Sequence, residues 1–425
     1  MFLRPLRYLV QKPPRPLVRR RCLSTLIATT NFTETQLTVR EAVGKICAQF
    51  PDEYWAEHDE TGEYPSELHS ALAKDGWIGI CLPPELGGAG LGISEATMML
   101  QTISESGAGM AGAQSVHANI YATQPINKFA TPSQKSQWLA PLIAGQTRTC
   151  FGVTEPNSGL DTLSLSTRAE RVGDTYRITG SKIWITNADV ASHMVLLART
   201  SQPSASAPPS QCLSLFYIPL LTSASLSLRP IQKLGARAIS ANEVFFDNYE
   251  VPASCLIGEE GSGFRQILHG MNAERCLLAG EALGLGYAAL EKATIYSRER
   301  KVFGHAIGAN QSIQHGLADC YMQLEAAKLA TYHAAALYDR LREGDGELSA
   351  KDVGAAANTA KYLAAEAGFR ACERAVMTLG GMGYAKEFHV ERYLRESLIP
   401  RIAPVSREMV LNYVGEKVLG LPKSY

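Results

Sequence analysis

The residue best suited to acid–base chemistry is a glutamate set among apolar side chains. Glu274 stands in the stretch MNAERCLLAGEALG, with Met271, Cys276 and Leu277 at neighbouring helical positions. Burial of a carboxylate among such side chains raises its pKa towards neutrality, where it can act as a general base. A carboxylate that only pairs with the adjacent Arg275 would account for the same residues. The residues alone therefore leave both roles open.

Motifs that commonly hold metals or nucleotides do not occur in the sequence in the context that such sites require. The chain has no CxxC pair and no HExxH for zinc, no GxxxxGK[ST], and no GxGxxG that follows a predicted strand. The glycines of GGAGLG and GEEGSG are typical of turns. We therefore predict no metal site. A flavin is still compatible with the sequence, because strand edges, helix ends and a partner subunit can hold one without a glycine-rich loop.

Apolar periodicity divides the chain into three parts, in the order helical, β and helical. From 36 to 146 apolar residues recur every three or four positions, which predicts a helical domain interrupted by the turn-rich residues 83–92. Residues 147–255 contain short β-branched runs such as TYRITGSKIWIT, which predict a small β domain with a Ser/Pro-rich loop at 201–211. Residues 256–425 return to helical periodicity, typical of a helical bundle. Long helices are predicted at 262–300, 310–343 and 350–380.

The distribution of charge bears on the location of the protein and on its partners. The 425 residues include 41 basic and 41 acidic side chains, so net charge favours neither nucleic acid nor anionic lipid. Residues 1–33 hold seven of the basic side chains and no acidic one. Such an Arg-rich start is typical of a mitochondrial transit peptide and predicts the mitochondrial matrix, with a basic arm of no targeting role as the alternative. No run of about 18 apolar residues predicts a membrane span.

Four stretches resemble the acyl-CoA dehydrogenase family, and they occur in the family's order. They are CFGVTEPNSGLD at 150–161, SKIWITNA at 181–188, SRERKVFGHAIGANQSIQ at 297–314 and LGGMGYAKEFHVERYLRE at 379–396. The resemblance implies an α+β fold with an N-terminal helical domain, a middle β-barrel-like domain and a C-terminal four-helix bundle. These domains correspond to the three parts defined by apolar periodicity.

The resemblance also implies FAD as the cofactor. Thr186 is the expected partner of the flavin N5 atom. The family positions that line the isoalloxazine ring and the start of the substrate cleft are held here by Phe151, Val153, Thr154, Gly159, Leu160, Trp184, Ile185 and Thr186. The positions for the rest of the cofactor, some of them reached across a dimer interface, are held by Arg300, Phe303, Gln311, Gly380, Gly381 and Ser406.

The catalytic base needs separate treatment, because the residue most family members use is missing. Their base is a glutamate about nine residues after an Arg-Asp pair, and Pro404 stands at that position here. A minority, typified by the isovaleryl-CoA and long-chain enzymes, carries the base on the first long helix of the C-terminal bundle. That position matches Glu274, which is therefore the predicted base. Glu281, seven residues on and on the same helix face, is the second candidate, and Glu408 is the third.

Other departures from the family pattern affect the contacts with substrate and cofactor. Pro404 has no N–H with which to polarise the thioester oxygen, so we predict that the amide of Val405 or Ala403 does so. The predicted substrate contacts are Leu160, Arg275 and Val405. The usual Ser, Gln and Asn of the family are replaced here by Leu160, Met377 and Met382.

The activity implied by the resemblance is α,β-dehydrogenation of an acyl-CoA to a trans-2-enoyl-CoA. The position of the base favours short or branched acyl groups. An electron-transferring flavoprotein is the implied acceptor, and a homotetramer the implied assembly. One alternative is a dehydrogenase or oxidase that supplies a specialised biosynthetic pathway. Another is a non-dehydrogenating, DNA-associated flavoprotein, which the formal charge of −7 after residue 33 and the presence of Glu274 both disfavour.

Overall fold

The computed structural model describes residues 23–205 and 207–424. The first 22 residues of the predicted transit peptide lie outside this described part. Within it, the chain forms helices, then a sheet, then helices again, so the predicted order of the three parts is confirmed.

The N-terminal part is a layer of helices. They are Glu34–Cys47 (α1), Asp52–Thr61 (α2), Ser66–Lys74 (α3), Ile93–Ile103 (α4), Gly109–Tyr121 (α5), Thr123–Phe129 (α6) and Pro132–Ile143 (α7). Thr33 and Thr131 begin α1 and α7 with capping boxes, in which the hydroxyl accepts a backbone N–H three residues on and a glutamine there returns the bond. The predicted turn-rich residues 83–92 join α3 to α4 through turns and a short 3-10 helix.

Residues 23–33, the end of the predicted transit peptide, pack against this helical layer and against the long C-terminal helices. The N–H of Ser24 donates to Glu105 Oε1 at 2.7 Å, and the same carboxylate forms a buried ion pair with Arg40. Ile27 is buried, and Lys328 donates a hydrogen bond to the carbonyl of Ala28. These residues are therefore part of the folded body of the protein.

The middle part is a curled seven-stranded sheet. Its strands are Thr149–Gly152 (β1), Arg168–Val172 (β2), Thr175–Thr186 (β3), His193–Arg199 (β4), Leu213–Pro219 (β5), Leu226–Pro230 (β6) and Ala241–Pro252 (β7). Their order is β1-β4-β2-β3-β7-β6, and β5 pairs with β4. β1 runs parallel to β4, whereas β3 and β7 form a long antiparallel pair. The predicted loop at 201–211 connects β4 to β5.

The C-terminal part is built on three long helices. A short hairpin of Lys301–Val302 (β8) and His305–Ala306 (β9) separates the first two. The long helices are Gly263–Glu299 (α8), Gln311–Arg342 (α9) and Ala350–Leu379 (α10). They are completed by Gly381–Tyr384 (α11), Val390–Glu396 (α12), Ile399–Ile402 (α13) and Arg407–Tyr413 (α14). The long helices begin and end within one residue of their predicted limits.

The central element of the fold is α8, which packs on α4, α5, α9 and α10. Residues 276–290 of this helix are buried all round, as expected for a helix without a polar face. In the described part of the chain, no helix combines the length and apolar character required for a membrane crossing.

Candidate active site

The carboxylate of Glu274 lies half-buried on α8, opposite α5. It makes no hydrogen bond or ion pair with any residue that the structure describes. Burial raises the pKa of Glu274 to about 7, against the opposing influence of His117 and Arg275. A carboxylate with such a pKa is available to accept a proton near neutral pH.

The second candidate base, Glu281, is already engaged. Its side chain is fully buried; one oxygen accepts from Nδ1 of His117 and the other from Nε2 of Gln114 at 2.6 Å. Burial lowers the pKa of His117, but the Glu281 anion outweighs burial and leaves this pKa raised, which favours the imidazolium. The third candidate, Glu408, is exposed on α14. Of the three, Glu274 alone is both unpaired and inside the cleft, the region between Glu274 on α8 and the side chains of His117 and Tyr121 on α5.

Three side chains of α5 that were not predicted from the sequence form the wall opposite α8. They follow the helical spacing i, i+3, i+7: Gln114, His117 and Tyr121. The ring of Tyr121 packs edge-on against His117 and against Phe151 of β1, with centroid distances of 4.9 and 5.2 Å. Tyr121 thus lies between the Glu274 region and the predicted flavin strands. Polar residues at this spacing in the Ala/Gly-rich GMAGAQSVHANIY are the signal that could have predicted the wall.

The first two family-like stretches meet where β1 ends beside β3. The N–H of Ile183 donates to the carbonyl of Thr154 at 2.9 Å. Ile185 is buried in the sheet, whereas Trp184 is 56% exposed and has a φ of 61°. A bulky residue in the left-handed region is strained, and such strain clusters at functional sites. The strained conformation of Trp184 therefore agrees with the predicted flavin contact at this edge, which is formed by the end of β1 and by β3 and is named the flavin edge.

The side chains at this edge fit a flavin. The hydroxyls of Thr154 and Thr186 have no hydrogen-bond partner among the described residues, and Trp184 and Leu160 leave apolar surface uncovered. A planar heterocycle with hydrogen-bonding edges would supply partners for the two hydroxyls and would cover the apolar surface at the same time. The remaining predicted residues of this surface lie on β1 and in the loop that follows it: Phe151, Val153 and Gly159.

A buried ion pair, also not predicted from the sequence, joins the two stretches. Nζ of Lys182 lies 2.8 Å from Oε1 of Glu155 and donates to the carbonyl of Val153 at 3.0 Å. The carboxylate of Glu155 also accepts the N–H groups of Ser166 and Thr167. Burial alone would raise the pKa of Glu155, but Lys182 lowers it to about 2; burial lowers the pKa of Lys182 to about 8. The pair holds the loop after β1 against β3.

The predicted adenosine and pyrophosphate contacts lie elsewhere on the surface. Arg300, Phe303 and Gln311 are exposed around the β8–β9 hairpin, with Phe303 96% exposed. Gly380 and Gly381 follow α10, with open space where a Cβ would stand. Among the described residues, no hydrogen bond, ion pair or ring contact joins these five to the flavin edge. One chain does not bring the two sets together, and their joint use across a subunit interface stays a prediction.

The loop that carries Pro404 is held by α10. Nζ of Lys361, a nearly fully buried side chain, donates to the carbonyl of Val405 at 2.6 Å. The N–H of Ala403 is bound to the carbonyl of Ile399 at 3.0 Å. Of the two amides predicted to replace the missing donor, that of Val405 is therefore the one without a partner in the described part of the chain.

Two further predicted contacts have partners of their own. The guanidinium of Arg275 donates to the side-chain oxygen of Asn272 at 2.7 Å, while its buried Nε has no partner among the described residues. The hydroxyl of Ser406 accepts the N–H of Met409 at 3.3 Å and so caps α14. Neither side chain carries a carboxylate, so neither competes with Glu274 for the role of the base.

Comparison with known proteins identifies the family. Models of the acyl-CoA dehydrogenase N-terminal, middle and C-terminal domains match residues 33–146, 150–249 and 261–419. An acyl-CoA dehydrogenase of Mycobacterium tuberculosis is 36% identical over 403 residues, which cover 93% of this chain and 99% of that protein. The mitochondrial short-chain specific acyl-CoA dehydrogenase of Bos taurus is 33% identical over 398 residues, covering 93% and 92%. The structure of butyryl-CoA dehydrogenase from Megasphaera elsdenii matches with a TM-score of 0.84 and 29% identity, over 92% of this chain and 99% of that one. The chain therefore belongs to the acyl-CoA dehydrogenase family, whose members are FAD-dependent oxidoreductases acting on CH–CH groups.

Proposed function

We propose that this protein oxidises a short or branched acyl-CoA to the trans-2-enoyl-CoA, with Glu274 as the base that removes the α-proton. The unpaired carboxylate of Glu274, with a pKa of about 7, is the observation that carries the proposal. It lies in the same cleft as Tyr121, whose ring contacts Phe151 at the flavin edge. FAD, when bound, supplies the acceptor for the hydride that leaves the β-carbon.

The packing around the cleft supports a short acyl group. A Cβ at Gly280 would lie 2.7 Å from Cγ2 of Thr97, and one at Gly284 would lie 2.3 Å from the carbonyl oxygen of Gln101. The backbones of α4 and α8 are therefore in close contact at these two positions, which follow Glu274 by six and ten residues on α8, and the contact leaves no groove between the two helices there. We expect butyryl-CoA and isovaleryl-CoA to react faster than palmitoyl-CoA.

The proposal is tested by anaerobic reduction of the bound flavin with a panel of acyl-CoAs, followed by its visible absorbance. Fast bleaching by butyryl- or isovaleryl-CoA and slow bleaching by palmitoyl-CoA would support it. A flavin-loaded protein that no acyl-CoA bleaches would refute it. Formation of peroxide without an added acceptor would identify the oxidase alternative instead.

The rate of flavin reduction should rise with pH through about 7. Glu274 must be ionised to take the proton, and its pKa is raised by burial, so the active form is lost as pH falls below that value. Stopped-flow rates from about pH 5.5 to about pH 9 would locate the acidic limb of the pH–rate profile, the range in which the rate rises as Glu274 ionises. A rate that stays constant across neutral pH would contradict the assignment.

Replacement of Lys361 by Met should slow flavin reduction about tenfold while FAD stays bound. The variant releases the carbonyl of Val405, so the Val405 N–H is no longer held towards the thioester oxygen; complete loss of such a donor costs about 2.7–4 kcal/mol. The rate is compared above the acidic limb, because the Lys361 charge also lowers the pKa of Glu274. Lys361→Arg keeps a donor and is the matched control. An undiminished rate in the Met variant would rule out this part of the mechanism.

We further infer an electron-transferring flavoprotein as acceptor, a homotetrameric assembly and a mitochondrial matrix location. The Arg-rich residues 1–33 support import, and the hydrogen bond from the Ser24 N–H to Glu105 supports a cleavage point before Ser24. The exposed Phe303 and Tyr384, 96% and 87% accessible, support subunit contacts at that surface. Import into isolated mitochondria followed by N-terminal sequencing tests the first inference, and light scattering tests the assembly.

A further inference from the structure

A buried ion pair beside Glu274 has no part in the proton removal proposed above. His117 on α5 and Glu281 on α8 are 3% and 0% exposed, and Nδ1 of His117 donates to Oε1 of Glu281. Gln114 holds the other oxygen of Glu281 at 2.6 Å. Two buried charges carry a desolvation penalty that apolar side chains of similar size would avoid. The position of the His117–Glu281 pair beside Glu274 therefore indicates that its charges influence the ionisation of neighbouring groups.

The groups that face Glu274 come from three helices. The titratable and charged ones are His117 and Tyr121 of α5, Arg275 and Glu281 of α8, and Lys361 of α10. Burial raises the pKa of Tyr121, so this side chain is uncharged near neutral pH. The other two cations are engaged in hydrogen bonds elsewhere. The His117 cation favours ionised Glu274 more strongly than the Glu281 anion disfavours it.

We propose that Glu281 and His117 are positioning residues for the base: the Glu281 carboxylate keeps His117 protonated, and the imidazolium keeps Glu274 ionised. The inference rests on the assignment of Glu274 as the base under the proposed function. A buried imidazole without an anion beside it would lose its proton, because burial disfavours the charged form. The fixed positive charge of His117 thus stabilises the ionised carboxylate of Glu274 that the reaction requires. No proton is transferred between His117 and Glu281 in this role.

Glu281→Gln tests this role, because glutamine keeps the shape of the side chain and removes the anion. His117 should then lose its proton, and the acidic limb of flavin reduction should move up by about one pH unit. At a pH below the limb, flavin reduction in Glu281→Gln should be about tenfold slower than in the wild type at the same pH, and the difference should disappear as the pH is raised. His117→Asn removes the cation and leaves the Glu281 anion, so its limb should move at least as far as that of Glu281→Gln. A pair that only stabilised the fold would leave the limb in place.

Glu105→Gln is the matched control. It removes another fully buried carboxylate, paired with Arg40 at 2.6 Å outside the cleft. This variant should be less stable than the wild type, with an unmoved acidic limb. A readout independent of turnover is the 15N spectrum of labelled histidines, in which the resonance lost in His117→Asn identifies His117. That resonance should report an imidazolium at neutral pH in the wild type and a neutral ring in Glu281→Gln.

The outcomes separate this inference from the proposed function. If the wild type bleaches with an acyl-CoA, Glu274→Gln does not, and Glu281→Gln keeps the wild-type limb, the positioning role is overturned and the proposed function stands. If no acyl-CoA bleaches the wild type, the proposed function fails. An imidazolium signal of His117 that persists in Glu281→Gln overturns the inference in either case.

Discussion

Glu274→Gln should abolish reduction of the flavin by every acyl-CoA while FAD remains bound. The amide of glutamine has the shape of the carboxylate but cannot accept the α-proton. General-base catalysis contributes about 10²–10⁴-fold, and we expect a loss at the upper end of that range because Glu274 has no unpaired carboxylate beside it among the described cleft residues. Anaerobic stopped-flow bleaching of the flavin measures the effect.

The controls for this variant distinguish loss of the base from loss of the site. Glu408→Gln changes an exposed carboxylate in the first turn of α14 and should reduce flavin at the wild-type rate. The spectrum of the flavin in Glu274→Gln should still shift when butyryl-CoA is added, because binding does not need the proton acceptor. If Glu274→Gln bleaches as fast as the wild type, the base lies elsewhere, and the loop at Pro404 becomes the place to look.

Lys182→Met should yield a less stable protein that is purified with little FAD. The substitution leaves the Glu155 carboxylate buried without its cation, and breaking one partner of a buried pair costs about 3–5 kcal/mol. The carbonyl of Val153 loses its donor as well, so the loop after β1 is no longer held against β3. The ratio of flavin to protein absorbance and the thermal unfolding midpoint measure the two effects.

Two further variants give this prediction its controls. Lys182→Met combined with Glu155→Leu removes both buried charges and should recover much of the lost stability. Arg177→Met removes a cation from β3, the strand of Lys182, and breaks the ion pair with Glu250 on β7. Because the side chains of Arg177 and Glu250 are about half exposed, we expect the free energy of unfolding to change by less than about 1 kcal/mol. A Lys182→Met protein with full FAD content and an unchanged unfolding midpoint would show that the pair does not hold the flavin loop.

Local pattern determined much of this protein. The three long C-terminal helices begin and end within one residue of the limits that apolar periodicity predicts, because burial repeats with the period of the helix along α9, along α10 and at the two ends of α8. The two stretches at the flavin edge, residues 150–161 and 181–188, were recognisable for a related reason: each is continuous in the sequence, so its residues can be compared with the family pattern without knowledge of the fold. Glu155 and Lys182 stood in those runs, yet their pairing joins positions 27 residues apart and no local pattern implies it.

Only the tertiary structure distinguishes the two candidate bases on α8. Glu274 and Glu281 are seven residues apart on one helix face, so periodicity places them in equivalent positions. They differ because α5, from a distant part of the chain, sets His117 and Gln114 against Glu281 and leaves Glu274 unpaired. The same holds for Val405 and Ala403, since only the folded loop shows which amide has found a partner. The sequence by itself determined the elements and the family; which carboxylate is free to take a proton depends on packing between helices that the chain brings together only when it folds.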